Sequence, residues 1–89
     1  MNLLSRLFGK SAAKAPEPVL HKDFRIFPEP IREGGVFRIA ARIEKDFGAD
    51  TKVHQLIRAD TSAALDEATS ASLAKARQAI DQFGDALFS

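Results

Sequence analysis

The chain has no cysteine, which excludes disulfides, thiolate nucleophiles and cysteine-based zinc or iron–sulfur sites. It also lacks any apolar run near the roughly 18 residues that a spanning helix needs. Its N-terminus shows no apolar stretch ending in a small-residue cleavage site, so no Sec-type signal is expected and the cytoplasm is the expected compartment. A large excess of one charge is missing too. The formal net charge is +1, spread as a surplus of +3 over residues 1–22, balance over 23–61 and −2 over 62–89. Such balance argues against a dedicated polyanion binder.

Catalytic constellations are equally scarce. His21 and His54 fall on different segments. No two carboxylates have a spacing that forces them together, and no glycine-rich phosphate cradle is present. Thr61, Ser62, Thr69, Ser70 and Ser72 read as helix caps and polar helix surface. The expectation is a protein that is not an enzyme, with no cofactor and no metal site.

What the chain does contain is the composition of one small folded domain, 45% hydrophobic and 28% charged over 89 residues, a size at which each buried side chain matters. Residues 1–10, MNLLSRLFGK, place Leu3, Leu4, Leu7 and Phe8 on one side of a short amphipathic helix. Ten residues do not hold a helix alone in water, so it needs its own domain, another chain or a membrane surface to dock on. Residues 11–22 read as a proline-punctuated linker, and the domain is expected over residues 23–89.

From Asp23 onward the pattern alternates apolar and charged, clearest in Phe37-Arg38-Ile39-Ala40-Ala41-Arg42-Ile43-Glu44, the period of a half-buried strand. Gly34-Gly35 supplies a tight hairpin turn. That turn pairs Ile26 with Ile43, Phe27 with Arg42, Pro28 with Ala41 and Pro30 with Ile39, and gathers Phe24, Ile26, Phe37, Ile39, Ala41 and Ile43 on one core face. Pro28 and Pro30 mark the first strand as an edge. A second turn is expected over Asp46–Asp50, with a third strand over Lys52–Ala59 that turns Val53, Ile57 and Ala59 to the core.

Asp60, Thr61 and Ser62 then offer N-cap oxygens. Ala68, Leu73, Ala76, Ile80, Phe83 and Leu87 recur at helical spacing, and Gly84 offers a stop. The fold class is thus α+β: a three-stranded antiparallel meander packed on one long C-terminal helix, β-β-β-α.

With these stretches in view, FRIFPEPIREGGVFRIAARIEKDFG, HQLIRADT and ASLAKARQAIDQFGDALF together resemble the HlyU-type family of small bacterial proteins, which are labelled transcriptional activators. The resemblance runs from about Phe24 to Phe88. It implies a small regulatory protein and transfers no catalytic or DNA-contact residue.

The face opposite the core is expected to carry Arg25, Phe27, Arg38, Arg42, His54, Leu56 and Arg58, a mixed aromatic-arginine surface of the kind interfaces favour. The first reading of that face is a contact for a partner protein or a second copy of the chain. The alternative is a DNA-binding transcriptional regulator that lays the same face on nucleic acid, with the arginines as phosphate anchors or base readers.

Overall fold

A computed structural model describes residues 17–89; the expected helix over 1–10, with Leu3, Leu4, Leu7 and Phe8, lies outside the described residues. Tight turns set the architecture. The pairs His21–Phe24, Glu33–Val36 and Phe47–Asp50 each close a two-residue turn. In each, only the first central residue has positive φ: Lys22 at 56°, Gly34 at 63° and Gly48 at 67°. That is the sign pattern of the type II′ turn, whose twist matches the strands it joins.

Among the described residues the resulting sheet has five strands: β1 (Val19–His21), β2 (Phe24–Pro28), β3 (Ile31–Glu33), β4 (Val36–Phe47) and β5 (Asp50–Ser62). All pairings are antiparallel. The expected count of three is corrected for two physical reasons. Pro28 and Pro30 hold φ at about −65°, away from the extended values of a regular antiparallel strand, so the first arm breaks into β2 and β3 around Glu29, whose N–H bridges the break by donating to the Ala40 carbonyl at 3.0 Å. The other extra strand, β1, turns at Lys22, which carries no sequence signal for positive φ. Because β1 pairs Val19 with Ile26, Leu20 with Arg25 and His21 with Phe24, β2 is internal there rather than an edge.

The register dictated by Gly34-Gly35 holds: Ile26 faces Ile43, Phe27 faces Arg42 and Pro28 faces Ala41. The third arm does not follow expectation. Leu56 lies opposite Ala41 and His54 opposite Ile43, so Leu56 and His54 share the core-side face. Val53 and Ile57, expected inside, are 49% and 58% exposed. The cause is the turn: Gly48-Ala49 is two residues long, where a loop over Asp46–Asp50 would have shifted the pairing by one. A shift of one residue exchanges the faces of a strand.

Helix α1 (Leu65–Phe83) buries Ala68, Ser72, Ala76 and Ile80, every fourth residue and hence one stripe. Three of these four are small, which lets the helix lie close on the sheet. Ile80 and Ala76 meet Phe24, Ile26, Ala41 and Ile43 in one core cluster, flanked by Leu56 and Leu73. Full burial of Ile26, Ile43 and Ile80 contributes about 1.5–3 kcal/mol each.

Ser62 Oγ accepts the Ala64 N–H at 3.4 Å and donates to the Glu67 carboxylate at 3.1 Å, marking the helix start. Asp60 and Thr61 stay in β5. Gly84, with φ 53°, stops the helix and donates its N–H to the Ile80 carbonyl. The following 3-10 turn, Gly84–Phe88, returns Phe88 to the sheet, stacked on Phe24 at 6.0 Å and edge-on to Phe47 at 5.7 Å. Phe83, placed in the core by periodicity, is 52% exposed; Leu87 and Phe88 pack against the core cluster in the last turns.

Candidate functional site

On the face away from α1, alternate residues of β2 and β4 present Arg25, Phe27, Arg38, Arg42 and Glu44, as the strand period requires. Each arginine is already engaged. Arg38 forms a two-pronged pair with Glu33, Nε to Oε2 at 2.6 Å and Nη2 to Oε1 at 2.7 Å. Its remaining nitrogen donates to the carbonyls of Arg58 and Ala59 at 3.0 and 3.1 Å, where the β4–β5 ladder is irregular between Arg38 and Ala40. Arg42 binds Glu29 at 3.1 Å and also contacts Glu44, while its guanidinium lies 3.9 Å from the centre of the Phe27 ring. Arg25 donates to both oxygens of Asp46 at 2.9 and 3.0 Å and to Glu44 at 3.4 Å.

The electrostatic consequence is mutual. The hydrogen bond from Arg25, joined by one from Thr51, holds the Asp46 carboxyl down at about 2. Arg38 lowers Glu33, and Glu33 in turn raises Arg38. Three arginines therefore meet four carboxylates, Glu29, Glu33, Glu44 and Asp46, along one face. The ladder binds strand to strand and leaves no basic excess.

His54, Leu56 and Arg58 do not join that face. The β5 register carries them to the helix side, where with Lys75, Gln82 and Phe83 of α1 they line a groove of about 400 Å³. The seven residues expected together are split between a neutralised sheet face and this groove. Its lining joins apolar Leu56 and Phe83 to cationic Arg58 and Lys75, with His54 also present. Among the described residues no Asp or Glu side chain lines it. Sequence reasoning missed Lys75, Gln82 and Phe83 as groove residues; helical spacing placed Phe83 in the core and Lys75 and Gln82 on the opposite side of α1, and the inversion of β5 is what turns His54, Leu56 and Arg58 toward them.

Other polar contacts tie the layers together. Asp81 of α1 takes hydrogen-bonding partners from both His21 and Lys22 at 2.8 Å, and Lys45 reaches Asp85 at 2.7 Å. Among the described residues no cluster of His, Asp and Glu is placed to hold a metal ion, and no helix is long and apolar enough to cross a membrane.

Comparison with curated proteins and with solved structures returns no match. A family model does match, over residues 2–88 and so over nearly the whole chain. The chain belongs to the family described as transcriptional activator HlyU.

Proposed function

We propose that this chain is a regulatory module that acts by binding protein, not by reading nucleic acid with its sheet. The observation that carries the reading is the neutralised outer face, where Arg25, Arg38 and Arg42 are held by Glu29, Glu33, Glu44 and Asp46. A phosphate arriving there would have to displace docked carboxylates and would meet their repulsion, so the counterion release that drives nucleic-acid binding is already forfeited. The regulatory part of the reading comes from the family description. The groove between β5 and α1 differs in character: cationic and apolar side chains line it, with no Asp or Glu side chain among the described residues. An acidic amphipathic protein segment matches it in charge and in shape.

The test is a pair of titrations of the full chain, one with mixed-sequence duplex DNA and one with an acidic amphipathic peptide, at several salt concentrations. Peptide binding is expected, weakened about tenfold or more by Arg58→Glu with Lys75→Glu. Duplex binding is expected to be weak and indifferent to Arg38→Ala with Arg42→Ala. Saturable duplex binding with a log K against log salt slope of about −3, flattened by that double variant, overturns the reading.

A further inference from the structure

The strands of this sheet differ sharply in how they end it. β1 and β3 are three residues each, whereas β5 is thirteen residues, pairs only with β4 and leaves its other edge open among the described residues. Long open edges are normally blunted by proline, a bulge or inward charge. In β5 no proline appears, and the irregularity in its ladder touches only the part beyond Ile57. The stretch Thr51–Ile57 is regular.

Its hydrogen-bonding directions follow from the turn. The Phe47–Asp50 turn points the Asp50 N–H at β4; with a period of two, Lys52, His54 and Leu56 also face β4. Thr51, Val53, Gln55 and Ile57 therefore aim their N–H and C=O groups outward. The same residues carry their side chains on the face away from α1, and the two apolar ones, Val53 and Ile57, are half-exposed.

We infer that a second copy of the chain pairs antiparallel along the Thr51–Ile57 edge of β5, joining two sheets into one across a twofold axis. This pairing is a protein contact separate from the groove and goes beyond the reading proposed above. A twofold perpendicular to the sheet keeps both helices on one side and makes the contact self-complementary. Charge selects the register. Centring on His54 places Asp50 opposite the partner's Arg58 at both ends, Val53 opposite Gln55 and Thr51 opposite Ile57. Centring on Gln55 would set Lys52 directly against Arg58 twice, which opposes pairing, and centring on Leu56 would draw the irregular residues Ala59 and Asp60 into the ladder. In the His54-centred dimer the two grooves meet at the axis, so that each His54–Leu56–Arg58 row continues into its copy.

Because the natural chain has no cysteine, single cysteines report the pairing without interference. Full-length His54→Cys is expected to form a covalent dimer on mild oxidation, since the residue faces itself across the axis within disulfide reach. Arg77→Cys, on the exposed side of α1, is expected to stay monomeric under the same conditions. Sedimentation equilibrium of the unmodified chain is expected to show a dimer. Gln55→Pro, which removes an outward N–H that β4 does not use, is expected to weaken that dimer about tenfold or more while the circular dichroism spectrum is retained.

A monomer at all concentrations overturns the inference, as does equal crosslinking of His54→Cys and Arg77→Cys. Fastest crosslinking of Gln55→Cys or Leu56→Cys overturns the register. A monomer that still binds the acidic peptide defeats the pairing alone; a dimer that binds duplex with the steep salt slope supports the pairing and defeats the protein-contact reading.

Discussion

At the scale of single residues, Ser72 shows how much one hydroxyl holds. By composition it belongs on the polar surface of an amphipathic helix, yet it is fully buried. Its oxygen accepts the Ala40 N–H at 3.0 Å and donates to the Ala68 carbonyl at 2.7 Å. A buried N–H without a partner is costly, and the Ser72 hydroxyl supplies the acceptor for this one. Ser72→Ala keeps the helix and the volume but strands the Ala40 N–H. Its expected cost is about 1–3 kcal/mol in urea unfolding, although alanine is the better helix former. A neutral or stabilising result would mean that Ala40 finds another acceptor.

At the scale of elements, the type II′ turns decide the fold more than the strands do. Gly48 has φ 67°, and a Cβ built there meets nothing within 4 Å. Gly48→Ala is therefore expected to cost about 1 kcal/mol from backbone strain alone. Gly35, with equally open surroundings and no positive φ, supplies the control: Gly35→Ala is expected to be neutral or mildly stabilising through the unfolded chain. Equal costs for the two would remove the conformational explanation. The same turns mark what was legible in the sequence. Gly34-Gly35 is an unambiguous signal, so the pairing of β2 with β4 and the core face with Ile26, Ala41 and Ile43 could be read directly. Gly48 sits in a stretch, Asp46–Asp50, that suits turns of more than one length, and the face of β5 depends on which forms. Lys22 has no turn signature at all, so β1 was invisible. The candidate surface inherited these limits: Arg25, Phe27, Arg38 and Arg42 fell together because their register was readable, and His54, Leu56 and Arg58 fell away because theirs was not.

At the scale of the whole molecule, the ion pairs make stability depend on acid in a definite direction. Asp46 is held down at about 2 by hydrogen bonds from Arg25 and Thr51. Glu33 is lowered by its hydrogen bond from Arg38, and Asp81 by those from Lys22 and His21. A carboxyl whose folded value lies below its unfolded one binds protons more readily when the chain unfolds. Its stabilising contribution is complete above the unfolded value, 3.8 for aspartate and 4.5 for glutamate, and is lost as pH falls through the folded one. Thermal unfolding is therefore expected to be level near neutrality and to decline from about pH 5 toward pH 2. Asp46→Asn is expected to be less stable than the parent at pH 7 and to lose less on acidification, so that the two profiles converge near pH 2. All three carboxylates are solvent-accessible, and about 1 M salt should shrink the difference between variant and parent. Parallel profiles for Asp46→Asn and the parent would show that the Arg25–Asp46–Thr51 contact does not persist in solution, and with it would go the claim that the outer sheet face is locked against phosphate.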